Sequence, residues 1–169
     1  FMNLMDKLNQ KKIMCPKPLK NKKGKYLSTI KHKSACIVTF LKGKDKTRLD
    51  YKNCFDVGKN IAKFHKATSK IGLFRENSMS VKKLDGLLKS IKFKSIKKTL
   101  DLKFVLDTNL QDIKREWPKN LPTGIIHGDL FLDNIFFDKN KFCGFIDFYF
   151  SSNEYLMYEI AICINALCF

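Results

Sequence analysis

The 169-residue sequence predicts an α+β fold in which strands flank a run of helices. Three observations predict it. Ala35–Leu41, rich in β-branched and aromatic residues, stands ahead of any long helical pattern. Between Tyr51 and Arg115, apolar residues recur at three- and four-residue spacing in three successive segments. After Ile125 the pattern becomes two short apolar runs around a polar turn, which is how a β-hairpin reads.

Residues 1–12 read as a helix with Phe1, Leu4, Met5 and Leu8 on one face. Cys15-Pro16-Lys17-Pro18 stops it, because proline lacks an N–H and fixes φ. Lys20 to Lys25 is a polar turn around Gly24, Tyr26–Ile30 a modest strand and Ala35–Leu41 a strong one, ended by Lys42-Gly43-Lys44. Asp50 caps a helix from Tyr51 to about Thr68 whose inner face carries Cys54, Val57, Ile61 and Phe64. His65 is expected to pack at the flank of that face. Gly72 to Met79 is loop. Arg75 within it is one of only three arginines, and a surface ion pair is the expected role, with a substrate carboxylate as the alternative partner.

Ser80 caps a helix to about Ile91, with Val81, Leu84, Leu87, Leu88 and Ile91 inward. A further helix covers Ile96 to about Arg115, where Leu100, Phe104, Leu106, Leu110 and Ile113 are roughly periodic. Trp117-Pro118 ends it, and Pro122 to Gly124 is loop. Ile125, Ile126 and Leu130 bracket His127-Gly128-Asp129, so a short buried strand runs into a loop. Ile135–Asp138 and Phe142–Ile146 form the hairpin, with Asn140 as the turn residue that tolerates positive φ. If Asp138 faces Lys141, Asn134 pairs with Phe145. The last helix, from about Glu154, buries Leu156, Met157, Ile160, Ala161 and Ile164. Glu159 in that apolar setting needs partners, and the loop N–H groups near His127 and Asp129 are the candidates.

The hairpin folds Asn134 and Asp147 back to one end, beside the loop that holds Asp129. Two carboxylates and an amide oxygen converge there. Hard oxygens in that number suit Mg²⁺, which takes few protein ligands and keeps positions for water and phosphate oxygens. A single Asp or Asn in a loop is ordinarily a turn or cap residue. The joint pattern, His127-x-Asp129-x₄-Asn134 and then Ile146-Asp147-Phe148 twelve residues beyond Asn134, is far harder to reach by chance.

His127-Gly128-Asp129-Leu130-x-x-x-Asn134-Ile135 with Phe145-Ile146-Asp147-Phe148 resembles the catalytic and metal-binding loops of the aminoglycoside-phosphotransferase-like, kinase-fold enzymes. The further run Tyr149-Phe150, and Tyr158-Glu159-Ile160-Ala161-Ile162-Cys163-Ile164-Asn165-Ala166, resembles the homoserine kinases of that superfamily. The resemblance implies a protein-kinase-like two-lobed fold. Residues 1–41 would be a partial small lobe, and 42–169 the hinge and a helical large lobe with its catalytic β-hairpin. It implies ATP and Mg²⁺ as cofactors and the hydroxyl of L-homoserine as acceptor, a step toward threonine. Asp129 would be the catalytic base, Asn134 and Asp147 the Mg²⁺ ligands, and His127 and Glu159 supports of the loop. Phe40 and Leu41 would lie in the hinge, where backbone groups read the adenine edge.

Three departures accompany the resemblance. Tyr149 follows Asp147-Phe148 where protein kinases have Gly, and Glu159 stands where relatives more often carry Asp. No Gly-rich phosphate loop and no convincing phosphate-binding lysine strand is found. The ends read as cut, with Phe1 in mid-helix and Tyr155 to Phe169 ending inside an apolar helical pattern. The expectation is a fragment that is inactive on its own, its phosphate loop lying outside it.

The formal net charge is +17, and it is uneven. Residues 1–100 hold 27 Lys and Arg against 6 Asp and Glu, whereas 101–169 hold 6 against 10. Thirty of the 33 basic residues are Lys, scattered among Phe, Ile and Asn. Base and phosphate forks favour Arg, so nucleic acid is not the expected partner. One rival is a kinase of the same superfamily that acts on an aminoglycoside, choline or a sugar, and the rival from another class is a basic, non-catalytic binding module on a kinase-like scaffold. Retention of Asp129, Asn134 and Asp147 argues against it. The six cysteines form no C-x-x-C pair and read as buried thiols. The longest apolar stretch, 155–169, carries Glu159 and Asn165 and is too short to span a bilayer. No membrane association is expected, and the cytoplasm is the default location.

Overall fold

The computed structural model describes residues 1–93 and 97–168, and the chain forms two compact units. The first joins Phe1–Glu76 to Pro122–Phe169, and the second is Asn77–Leu121.

The first unit opens with helix α1, Met2–Gln10, which buries Met2, Leu4, Met5 and Leu8. Phe1, expected on that face, is instead exposed. Past the stop at Cys15-Pro16 the chain enters strand β1, Pro18–Leu19. Strands β2, Ser28–Ile30, and β3, Lys33–Ala35, form a small hairpin, and β4, Ile37–Val38, pairs antiparallel with β1. The strong strand expected over Ala35–Leu41 is therefore corrected to a two-residue ladder. Its apolar residues face outward, with Ile37 and Phe40 exposed. The ladder stops at Thr39, whose N–H donates to the Lys17 carbonyl while its hydroxyl takes the Lys17 N–H in place of a backbone carbonyl.

Helix α2, Tyr51–Thr68, starts where Asp50 accepts the Asn53 N–H at 2.7 Å. It buries Val57, Ile61 and Phe64, while Cys54 is only half-buried. Of the six free thiols only Cys15 and Cys163 are buried, and burial pushes each up to about 12. The expectation of buried thiols thus holds for two of the six, since Cys54 and Cys143 are half-buried and Cys36 and Cys168 are exposed.

In the second unit, Ser80 caps helix α3, Val81–Ser90, through the Lys83 N–H. Helix α4 covers Lys97–Glu116; the expected start at Ile96 lies outside the described residues. The inward faces expected on both helices are corrected in part: Val81, Leu84 and Leu88 are half-buried. Leu87, Ile91, Leu100, Phe104, Leu106 and Ile113 are exposed, and only Leu110 on α4 is buried. Lys114 pairs with Asp85 between the two helices.

Back in the first unit, strand β5, Thr123–Ile126, begins inside the expected loop at Thr123. The hairpin is β6, Ile135–Asp138, and β7, Lys141–Phe145. Asp138 faces Lys141 as expected, but a bulge shifts the register beyond it, so Ile135 rather than Asn134 pairs with Phe145. Lys139, not Asn140, takes the positive φ of the turn. Strand β8, Ser152–Tyr155, pairs antiparallel with β5, which corrects the expected helix start at Glu154. Helix α5, Leu156–Leu167, docks through Glu159 and Cys163, one turn apart. The burial expected for Met157, Ala161 and Ile164 is corrected, because those residues lie away from the Glu159 face and are exposed.

One core gathers α1, α2, β5, the hairpin and Phe148. Ring centroids lie 6.2 Å apart for Phe64 and Phe148, and 4.6 Å apart for His127 and Phe148. Among the described residues no helix is long and apolar enough to cross a membrane.

Candidate active site

Strand β5 delivers His127 into the core, where it is 1% exposed. Its Nε2 lies 2.7 Å from the Ile146 carbonyl, so this nitrogen donates and the ring is the Nε2–H tautomer. Nδ1 is buried without a partner. Burial pushes the His127 pKa down, against the pull of Glu159, so the ring is neutral. The next residue turns sharply. Gly128 has φ +82°, and a Cβ there would stand 2.9 Å from the Phe150 carbonyl oxygen. Only glycine combines that conformation with that approach.

Glu159, fully buried, holds this turn from below. It accepts the His127 N–H at 2.6 Å and the Gly128 N–H at 2.9 Å. His65 Nε2 lies 3.4 Å from the same carboxylate. A buried carboxylate is tolerated when hydrogen bonds satisfy it, and here three nitrogens surround it. The His65 contact was illegible in the sequence, where 94 residues separate the pair; only its place on the α2 flank pointed inward.

Asp129 follows, half-buried. A 3-10 turn, Leu132–Asn134, brings Asn134 back to it. The Asn134 Nδ2 donates to the Asp129 carbonyl at 2.8 Å and to its carboxylate at 3.0 Å. Burial raises the Asp129 pKa above the ordinary carboxylate range, with His127 and the Asn134 bond opposing it. The Ile146 N–H donates to the Asn134 carbonyl at 3.0 Å, which sets Asp147 beside Asn134. Asp147 is left-handed, at φ 57°, and its Oδ1 accepts the Tyr149 N–H at 3.2 Å. The Ser151 hydroxyl donates to the His127 carbonyl at 3.3 Å, tying the segment after Asp147 to the loop.

The donor set fits a hard divalent cation. With both Asn134 amide bonds going to Asp129, its Oδ1 is left as an acceptor, and Asp147 keeps a second carboxylate oxygen. Among the described residues no group of three or more His, Cys, Asp or Glu could hold a metal by itself. Two protein oxygens with the rest supplied by phosphate and water is the Mg²⁺ habit.

Asp129, Asn134 and Asp147 thus come together, with His127 and Glu159 beneath. Phe40 and Leu41 stand elsewhere in the same unit. Phe40 is 87% exposed, while Leu41 is half-buried against Gly144, its Cδ2 3.0 Å from where a Cβ would lie. Arg75 was expected to make a surface ion pair. Its guanidinium instead donates to the Tyr149 carbonyl and lies over the Tyr149 ring.

The model of the phosphotransferase enzyme family matches residues 1–169. A homoserine kinase of Rhizobium meliloti (strain 1021) is 37% identical over 169 residues, which are 100% of this chain and 52% of that protein. One of Parvibaculum lavamentivorans is 38% identical, again over the whole chain and 53% of the relative. The chain therefore spans about half the length of the curated relatives it matches. Among solved structures, an amicoumacin kinase in complex with AMP-PNP, Ca²⁺ and Ami aligns with a TM-score of 0.72 at 18% identity, covering 98% of this chain and 51% of that one. An aminoglycoside-3'-phosphotransferase of type VIII aligns at 0.67 and 15% identity, covering 99% and 63%. These two similarities show the fold, the kinase-like one that the loop phrases implied. The family model, matched from end to end, shows the rest: the chain belongs to the phosphotransferase enzyme family.

Proposed function

We propose that the protein carrying this chain transfers the γ-phosphoryl group of ATP to the hydroxyl of L-homoserine. The observation that carries the chemistry is the Asn134 amide bonded to the Asp129 carboxylate, with Asp147 set beside it. The acceptor rests on the relatives named homoserine kinase, 37–38% identical along the whole chain.

In this reading Asp129 accepts the proton of the attacking hydroxyl. The Asn134 amide orients that carboxylate, and burial makes it a better base than a solvated one. Asn134 Oδ1 and Asp147 would hold Mg²⁺, which offsets charge on the phosphoryl oxygens. His127 and Glu159 hold the loop so that positioning, the main lever in phosphoryl transfer, is built in before substrate arrives. Phe40 and Leu41 are proposed as hinge residues toward the adenine, with residues 1–41 on the small-lobe side.

The test follows ADP release by the intact gene product with Mg-ATP. Homoserine, choline, a sugar and an aminoglycoside are offered separately. Release with homoserine alone is expected. Release with another acceptor alone would keep the kinase chemistry and overturn the acceptor. No release with any, from a folded protein that binds nucleic acid in a salt-sensitive way, would favour the binding-module reading.

A further inference from the structure

We infer that Arg75 is a positioning residue for Asp147, clamping the turn that presents this carboxylate to the metal. The inference rests on the reading of Asp147 as a metal ligand. Asp147 has φ 57° and ψ 68°, a left-handed conformation that aspartate adopts more readily than most side-chain-bearing residues and that the flanking contacts hold in place here. On one side Phe148 is buried and anchors the turn. On the other, the Tyr149 and Phe150 side chains are exposed, and Tyr149 meets Phe1 edge-on with ring centroids 6.2 Å apart.

Arg75 occupies that open side. Its Nη1 donates to the carbonyls of Tyr149 and Ser151, and its guanidinium carbon stands 5.5 Å from the centre of the Tyr149 ring. A planar fork with several fixed donors can hold two carbonyls and stack on a ring at once. Arg75 is itself fixed. Its N–H donates to the Asn153 side-chain oxygen at 2.9 Å, and its carbonyl accepts the Asn153 N–H at 2.8 Å. Asn153 lies on β8, paired with Ile125 of the strand that feeds the catalytic loop. One continuous set of bonds therefore runs from β5 and β8 through Arg75 to the turn. The aromatic residue in the position after Asp147-Phe148 supplies the surface on which the guanidinium rests.

The test compares wild type, Arg75→Gln and Arg75→Lys in three readouts. Mn²⁺ binding is followed by electron paramagnetic resonance, and Mg²⁺ half-saturation of phosphoryl transfer is measured at saturating ATP. Hydrogen exchange is read at the Tyr149 and Ser151 amides. In Arg75→Gln both metal constants are expected to weaken roughly tenfold, the lower end for outer partners of a metal ligand. The two amides exchange faster, and kcat at saturating Mg²⁺ changes much less. Arg75→Lys recovers only part, since an ammonium cannot fork and stack together. A folded Arg75→Gln with wild-type metal constants, or with kcat alone reduced, would overturn the inference. If Arg75→Gln does not fold, Tyr149→Leu removes the ring and leaves the carbonyl. Weaker metal binding supports the clamp there, and unchanged binding overturns it. A wild type that binds no metal and transfers no phosphoryl would defeat the functional reading, while the exchange rates alone would still decide whether Arg75 holds the turn.

Discussion

The loop and hairpin from His127 to Asp147 and the helical unit from Asn77 to Leu121 make opposite use of similar sequence signals. Both carry apolar residues at regular spacing. In the first, Leu130, Ile135, Phe137, Phe142 and Phe145 are all buried, and the buried polar residues His127 and Asn134 are drawn into bonds. In the second, only Asn77 and Leu110 are buried among the described residues, and Leu87, Phe104 and Ile113 face outward. Periodicity reports that a stripe exists, and burial reports whether anything covers it. The buried polar residues mark the place where substitution is expected to matter.

The largest contrast comes from Glu159→Ala. It leaves two buried N–H groups and His65 without their acceptor, and a loss of about 3 kcal/mol is expected by denaturant unfolding. A loss under half of that would mean that water replaces the carboxylate. Next is Gly144→Ala. A Cβ there would lie 2.4 Å from the Met14 carbonyl oxygen at a φ of +144°, so a loss of about 2 kcal/mol is expected. Wild-type stability would show that the α1–β1 connection yields.

A third comparison uses pH. Burial lowers the His127 pKa below the 6.5 of a free histidine, so between those two values the unfolded chain binds more protons. Its contribution is complete above about pH 6.5 and falls as pH drops below that, by at most about 1.4 kcal/mol per unit. His127→Gln keeps a donor for the Ile146 carbonyl and should lose that part of the slope. Equal slopes in both proteins would place the acid sensitivity elsewhere. The smallest effect belongs to Leu87→Ala, where a 59% exposed side chain predicts a change within about 0.5 kcal/mol. A larger loss would mean that this face is covered in solution.

Legibility in the sequence followed the range of the interactions. Asp50 and Ser80 as caps were readable because a cap acts over three residues. The hairpin was readable from its turn, but its register was not. The bulge sits where Gly144, at φ +144°, lets the Met14 carbonyl approach, and that contact lies about 130 residues away in the chain. Strands β1, β3 and β8 were missed because two to four residues with polar members carry no period. The meeting of Asp129 and Asn134 was legible because both lie on one short loop. The His65–Glu159 and Arg75–Tyr149 contacts span 94 and 74 residues, and no local pattern encodes them.

The most direct measurement replaces Asp129 by Asn, which keeps an acceptor for the Asn134 amide and removes the base. Phosphohomoserine formation from Mg-ATP and homoserine is followed by ³¹P resonance in wild type and variant. The account predicts product in wild type and a rate at least about 100-fold lower in a folded Asp129→Asn. Wild-type turnover in the variant would contradict it, because the carboxylate at the centre of the site would then have no part in the reaction.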